Sequence, residues 1–158
     1  RCELNAYRNL HWRGVCDPDG GAAPRYYGHI DRLDPAISQP HLDHFANDLY
    51  HPRAILLEYL RDAEELNCVN YTDDRFEAAN LGLILIQGAL VNRGDIDPKN
   101  ILIVHGHQER VIWIGFDVSS TFLEEESMND EVEGRCQDEF DLLKNIGELL
   151  VSLYPALG

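Results

Sequence analysis

Residues 93–117 constrain the fold most, because they combine a polar loop with two short apolar runs. The loop carries Asp95 and Asn100, five positions apart, and the apolar runs are residues 101–104 and 111–117. The His-Gly-His-Gln stretch between the runs, residues 105–108, favours a turn. Two runs of strand length joined by a short turn predict a β-hairpin that follows directly on the loop.

Length and charge limit the class of protein to which this stretch belongs. The chain has 158 residues, which suits one domain with a sizeable core. Its formal net charge of -15 predicts repulsion from nucleic-acid backbones and from anionic lipid, so we expect no nucleic-acid partner. No apolar run approaches the roughly 18 residues of a membrane span, and we expect no membrane association.

The cysteines bear on the compartment, because they are scattered without the close Cys or Cys/His pairs of a zinc site. Isolated thiols favour reduced cysteines in a cytoplasmic protein, while their even number leaves a secreted protein with disulfides open. The four are Cys2, Cys16, Cys68 and Cys136. The chain does not begin with Met, so we expect a fragment or a processed product.

The residues ahead of the loop predict one short helix and two strands. Leu4, Tyr7 and Leu10 fall near helical spacing and predict an amphipathic helix over residues 1–12. Aromatic and β-branched residues predict a strand at 24–30. The continuous apolar run within residues 53–60 predicts a second strand that is buried.

Two longer helices are predicted from apolar periodicity, which makes the chain α+β. Thr72 suits an N-cap, and the helix after it runs to about Leu90 with a stripe wide enough to predict burial on much of its circumference. Residues 137–153 predict an amphipathic closing helix, which Pro155 and Gly158 would end. The acidic residues 124–133 predict a solvated surface segment.

The order of these features resembles the protein-kinase-like fold. In that fold a long helix leads to an Asp-x-x-x-x-Asn catalytic loop, and a hairpin follows that ends on Asp-Phe-Gly or Asp-Phe-Asp. Here Asp95, Pro98 and Asn100 match the loop, and Trp-Ile-Gly-Phe-Asp at 113–117 ends the hairpin. The chain is most similar to small kinase-like proteins of filamentous fungi, which read roughly His-Gly-Asp-Ile-x-Pro-Arg-Asn and then Trp-Ile-Asp-Phe-Asp. The resemblance covers most of residues 1–123.

The resemblance implies a fold and a set of roles. The chain would be a single truncated kinase-like domain, with residues 1–60 as the remnant of the N-terminal lobe up to the hinge and residues 61–158 as the helical C-terminal lobe. Asp95 would be the base that accepts the proton of the attacking hydroxyl, and Asn100 would hold magnesium. The further candidates are Lys99 in the catalytic loop, Asp117 as a second metal ligand, and Glu58, Tyr59 and Leu60 as the hinge that binds the adenine of ATP.

Glu3 matches the helix Glu that pairs with a nucleotide-holding Lys in this fold. A solvated Glu in the first turn, where the helix dipole favours it, would look the same. The Gly-rich loop and the strand with that Lys, which precede this helix in the family, are absent from the sequence. Glu3 therefore stays a candidate with two interpretations.

Two further departures lie in the central stretch. Gly115 stands where the family has its metal-binding Asp, and Arg93 replaces a His that braces the loop. Because magnesium needs charged oxygen ligands, we expect binding of ATP and magnesium to be weak or absent. Asp117 would point to the same side as residue 115 in an extended segment and is the candidate replacement.

These departures predict a catalytically impaired, pseudokinase-type protein that acts as a protein-interaction module. We expect a protein partner or self-association to cover the apolar surface that a missing lobe would leave. The alternative is an active phosphotransferase that uses ATP and magnesium, with Asp95 as base, completed by an N-terminal segment outside this sequence. A third interpretation is a remnant without a selected role.

Overall fold

The computed structural model describes residues 2–17, 19–123 and 129–153. Within these ranges the chain forms helices and short strands, which confirms the α+β class; a kinase-like fold stays a prediction. The helices are α1 (Cys2–Trp12), α2 (Asp73–Gly88) and α3 (Asp130–Leu153). The strands are β1 (Tyr26–Ile30), β2 (Ala54–Leu57), β3 (Glu64–Glu65), β4 (Val91–Asn92), β5 (Ile101–Val104), β6 (Arg110–Trp113) and β7 (Ser120–Thr121).

The strands pair antiparallel in three small sheets. β1 pairs with β2 in a two-stranded sheet, called here the β1–β2 ribbon, β5 lies between β3 and β6, and β4 pairs with β7. Ile101 lies opposite Trp113, and Val104 lies opposite Arg110. The hairpin predicted after the polar loop is therefore confirmed as β5 and β6.

The core joins α1, α2 and the hairpin, with α2 packed directly on β6 and α1 on β1, β4 and β7. As the spacing predicted, α1 buries Tyr7 and Leu10. The indole N–H of the fully buried Trp113 donates to the carbonyl of Ala79 on α2 at 2.9 Å. A Cβ at Gly82 would come within 2.9 Å of the Trp113 ring, so this glycine allows α2 to approach the hairpin closely.

α2 begins and ends close to its predicted bounds. The hydroxyl of Thr72 accepts a hydrogen bond from the backbone N–H of Arg75 at 3.2 Å, which confirms the N-cap. The prediction that α2 is buried on much of its circumference is wrong: its neighbours β4, β6 and α3 leave only four of its residues buried, Ala79, Gly82, Leu83 and Ile86. The apolar side chains left exposed are Leu81, Ile84 and Leu85.

α3 is longer than predicted and runs antiparallel to α2. It begins at Asp130 rather than near residue 137, because acidic side chains in its first turn favour the helix N-terminus. Part of the predicted acidic surface segment is thus helical. Residues 124–128, and the predicted helix end at Pro155 and Gly158, lie outside the described residues.

The prediction that β2 is buried is wrong, because three of its residues are only half-buried and the fourth, Leu56, is exposed. Ile55 and Leu57 pack against the core, and both line a depression with Leu4 of α1. Leu56 points away and is 45% exposed. A two-stranded sheet covered on one face leaves every second residue in contact with solvent.

The helices and the cysteines bear on the environment in which the chain folds. No helix within the described ranges has the length and apolar character required to cross a bilayer. All four cysteines are free thiols.

Candidate functional site

Residues 93–100, called here the 93–100 loop, are fixed to the hairpin that follows them. Asp97 caps the short 3-10 turn Pro98–Asn100 by accepting from the backbone N–H of Lys99 at 3.0 Å. The carbonyl of Asn100 accepts from the backbone N–H of Ile114 at 2.9 Å. The loop therefore has a defined position relative to residues 113–117.

Asp95, Asn100 and Gly115 meet at one point. The side-chain amide N–H of Asn100 donates to Asp95 Oδ2 at 3.1 Å. Asn100 is buried, and its Oδ1 would lie 2.6 Å from a Cβ added at Gly115. Gly115 has φ of +73°, a conformation that glycine adopts at little cost. The Asn100 side chain therefore occupies the space where a side chain at position 115 would begin.

This arrangement does not fit the magnesium site that the kinase-like resemblance implies. A magnesium ligand must direct an oxygen at the ion, and charged oxygens bind best. Here the side-chain N–H of Asn100 donates to Asp95, and its Oδ1 lies 2.6 Å from where a Cβ at residue 115 would be. Position 115 supplies no carboxylate. One hydrogen bond thus joins the two oxygen-bearing side chains of the motif.

Arg93 braces the loop, although the sequence suggested that it replaced a bracing residue. Its guanidinium carbon lies 4.4 Å from the ring centre of Trp113 and 4.6 Å from that of Phe116. One terminal nitrogen donates to the carbonyl of Ile114 at 2.7 Å and to that of Gly115 at 3.3 Å. Burial lowers the Arg93 pKa to about 10, and the nearby Glu139 opposes this shift. Arg93 thus ties the loop to the residues after β6.

Glu139 of α3 is a residue that the sequence analysis missed. One of its oxygens accepts from the backbone N–H of Gly94 at 2.7 Å, and the other accepts from the side chain of Gln87 at 2.9 Å. The carboxylate is buried and lies on the helix face that also buries Leu143 and Leu150. An acidic residue at helical spacing within an apolar stripe was the available signal.

Three charged candidates surround the loop. Lys99 Nζ lies 2.9 Å from Asp97 and 4.0 Å from Asp95, and Asp97, Asp95 and Asp117 all raise the Lys99 pKa. Asp117 is exposed. Burial raises the pKa of Glu3, and the nearby Asp117 carboxylate raises it further. Glu3 and Asp117 are thus close enough to interact electrostatically.

Glu58 of the candidate hinge forms hydrogen bonds with Arg25, next to β1, and with Arg110 of the hairpin. The backbone N–H of Glu58 donates to the carbonyl of Arg25 at 2.8 Å. Its carboxylate accepts from Arg110 of β6 and from the backbone N–H of Arg25. Tyr59 is 86% exposed and Leu60 is half-buried. The adenine-binding role of this segment stays a prediction.

A depression of about 370 Å³ lies between α1 and the β1–β2 ribbon. Glu3 lines it together with Ile55 and Leu57, so of the predicted site residues only Glu3 reaches it. His29 and Arg53 add polar groups to the lining. The depression is therefore separate from the Asp95–Asn100 pair.

Within the described ranges, no group of three or more His, Cys, Asp and Glu side chains could hold a metal ion. Comparisons of the chain with models of protein families, with curated proteins and with solved structures find no match.

Proposed function

We propose that this chain is a kinase-like, pseudokinase-type interaction module that does not transfer phosphate. The observation that carries the proposal is the closed contact of Asn100 with both Asp95 and Gly115. A phosphotransferase needs the oxygens of these positions directed at magnesium. Here the amide group of Asn100 is used to hold the loop instead.

Arg93 supports the same proposal. Its guanidinium is fully buried between two aromatic rings, and it holds the carbonyls that flank position 115. A backbone fixed in this way resists the rearrangement that would free Asn100 for a metal ion. We therefore interpret the loop as a structural element that retains the outline of a catalytic one.

The interaction half of the proposal rests on apolar side chains that remain in solvent. Exposed leucines and an isoleucine occur on α2, and a second set occurs on α3. Clustered apolar surface of this kind marks interaction sites in folded proteins. The α3 set is Leu142, Leu149, Val151 and Leu153. Free cysteines fit a reducing compartment, and we propose the cytoplasm.

A second candidate is an active phosphotransferase that uses Asp117 in place of the missing carboxylate. The observation that favours it is the convergence of charges around Lys99, whose pKa is raised by Asp97, Asp95 and Asp117. Asp117 is exposed and has room for an ion. In this case Asp95 would act as the base.

Thermal unfolding with ATP, with and without magnesium, separates the two candidates. A ligand that binds only the folded chain at 100 times its Kd stabilises it by about 2.7 kcal/mol, so binding raises the unfolding midpoint. We expect no magnesium-dependent rise. A rise that Asp117→Asn abolishes, and that the matched variant Asp62→Asn leaves intact, would favour the phosphotransferase and overturn the proposal.

A further inference from the structure

A second depression, of about 710 Å³, lies where the chain leaves β1 and enters β2. The last strand pair is Ile30 with Ala54, and beyond it the backbone N–H of Leu33 donates to the carbonyl of Pro52 at 2.9 Å. The two arms of the chain therefore stay side by side outside the ribbon. The lining of this ribbon-end depression is Asp31, Arg32, Leu49, Tyr50, His51 and Arg53.

Arg32 and Arg53 reach the ribbon-end depression from opposite arms. Within the described ranges neither side chain has a hydrogen bond or an ion pair. Three other arginines do pair with carboxylates, namely Arg61 with Asp62, Arg75 with Glu109 and Arg110 with Glu58. The one carboxylate in the lining, Asp31, lies 3.8 Å from His29. The depression thus carries an excess of positive charge in a chain whose net charge is -15.

Apolar side chains lie beside these arginines. Leu49 is 86% exposed and Tyr50 is 80% exposed, and both line the same depression. Small-molecule sites combine apolar walls with a few polar groups that fix the orientation of the ligand. A guanidinium group binds a planar anion through two parallel hydrogen bonds. The lining therefore fits a ligand with one anionic group and an apolar body.

The net charge of the chain selects a small anion over a large one. A nucleic acid, an anionic bilayer or an acidic protein would face the acidic surface over a wide area and be repelled. A molecule with a single negative charge meets mainly the charges next to it, because those farther than about 8 Å are largely screened at physiological salt. Next to it here are two arginines and one aspartate.

We propose that the ribbon-end depression binds a small molecule that joins one carboxylate to an aliphatic or aromatic body. The carboxylate pairs with Arg32 and Arg53, and the apolar body covers Leu49 and Tyr50. This site is separate from the Asp95–Asn100 pair, and binding there does not depend on whether the 93–100 loop is catalytic.

An NMR titration of the ¹⁵N-labelled chain with octanoate tests the proposal. We expect saturable shifts of the backbone amides of residues 31–33 and 49–53, and none in the 93–100 loop. Arg53→Gln should raise the Kd about three- to fivefold, as expected for an ion pair that is open to solvent. The matched variant Arg61→Gln changes an exposed arginine outside the lining and should leave the Kd unchanged.

Two tyrosines of similar exposure test the apolar part of the site. Tyr50→Ala should weaken the binding of octanoate, whereas Tyr59→Ala should not, since Tyr59 is 86% exposed and lies outside the lining. Acetate, which has the charge without the body, should bind at least tenfold more weakly. Octylammonium, which has the body with the opposite charge, should not shift these amides.

Several outcomes would overturn the proposal. Acetate that binds as well as octanoate would indicate an adventitious anion only. Octylammonium that binds as well would mean that the arginines do not select the ligand. The absence of a saturable shift at millimolar octanoate would exclude the site. An acidic peptide that shifts the same amides where octanoate does not would assign the depression to a protein partner instead.

Discussion

The 93–100 loop and the β1–β2 ribbon differ in how their polar groups are satisfied. In the loop, Asp95 is bound by Asn100, Gly94 by Glu139, and the carbonyl of Ile114 by Arg93. In the ribbon, β2 leaves one row of backbone groups without a partner inside the described chain. The loop carries the residues that suggest chemistry, and two buried nitrogens of Arg93 have no partner there, whereas the ribbon leaves a row of backbone groups unpaired along one edge of β2.

This difference indicates where a partner would bind. A ligand at the loop must compete with internal hydrogen bonds, and breaking a buried bond without replacing it costs about 1–3 kcal/mol. A strand added at the ribbon forms hydrogen bonds without breaking any within the protein. We therefore expect a partner to bind more readily at the ribbon than at the loop.

Of the substitutions that test the closed loop, Arg93→Ala should have the largest effect on stability. It removes a fully buried side chain from between Trp113 and Phe116 and leaves the carbonyl of Ile114 without its donor. We expect the free energy of unfolding to fall by about 3–4 kcal/mol, from the cavity and the unsatisfied carbonyl together. Urea denaturation monitored by tryptophan fluorescence measures this change, since Trp113 lies at the site.

Arg93→Met is the matched control. Methionine retains much of the packing and removes Nε and Nη1, two buried nitrogens that have no hydrogen-bond partner. Its cost should be about 1–2 kcal/mol. Equal stability of the Ala and Met variants would mean that packing between the rings does not hold the loop.

The second test is Gly115→Asp, which restores the carboxylate of the kinase-like pattern. The new side chain would begin 2.6 Å from Asn100 Oδ1 at a φ of +73°, so we expect a loss of about 2–3 kcal/mol. Urea denaturation measures the loss. Thermal unfolding with ATP should show no magnesium-dependent rise in this variant.

A double-mutant cycle with Asn100→Ala isolates the clash. The cost of Gly115→Asp should be smaller by about 1 kcal/mol in the Asn100→Ala background, because the amide that collides with the new side chain is gone. Full stability of Gly115→Asp together with magnesium-dependent ATP binding would instead show that the loop lacks only one ligand. The loop would then be open to a ligand, and it would no longer differ from the ribbon in this respect.

The elements of the fold could be predicted from local patterns, but their exposure could not. Thr72 as N-cap and the hairpin of β5 and β6 follow from residue types within a few positions. Burial of α2 depends on how many neighbours cover it, which periodicity alone does not determine. The exposed Leu81 and Leu85 show that a wide apolar stripe is not evidence of burial on all sides.

The candidate site shows the same limit. Sequence spacing brought Asp95 and Asn100 to one loop, and the structure joins them through a hydrogen bond. The sequence spacing gave no indication that Asn100 would fill the space at Gly115, because that contact depends on the pairing of the loop with the residues after β6. Glu139 accepts a hydrogen bond from Gly94, which lies 45 positions earlier in the chain. The Arg93 guanidinium packs against the rings of Trp113 and Phe116. Such contacts are tertiary, so motif spacing does not contain them.

The smallest test concerns Glu58, which fastens the end of the ribbon to the hairpin through Arg110. Burial raises the Glu58 pKa, but the hydrogen bonds from Arg110 and from the backbone of Arg25, together with the charges of both arginines, outweigh burial, and the net pKa is lowered. A lowered pKa means that the stabilisation is fully present above the unfolded-state value, about 4.3, and is lost as pH falls through the folded-state value. Glu58→Gln should therefore lower the free energy of unfolding by about 0.5–1 kcal/mol at neutral pH and by less at an acidic pH where the Glu58 carboxylate of the folded chain is protonated.

Urea denaturation at the two pH values measures the Glu58 effect, and hydrogen exchange locates it. Exchange should become faster in the β1–β2 ribbon and stay constant in the 93–100 loop, because the lost contact holds only the ribbon end. Arg110→Gln serves as the second arm of a cycle, and the paired variant should lose no more than either single one. A loss that is independent of pH would show that the Glu58 carboxylate does not act as a charged partner. Faster exchange in the loop as well would mean that the two regions are coupled, and the closed site would then respond to whatever binds the open edge.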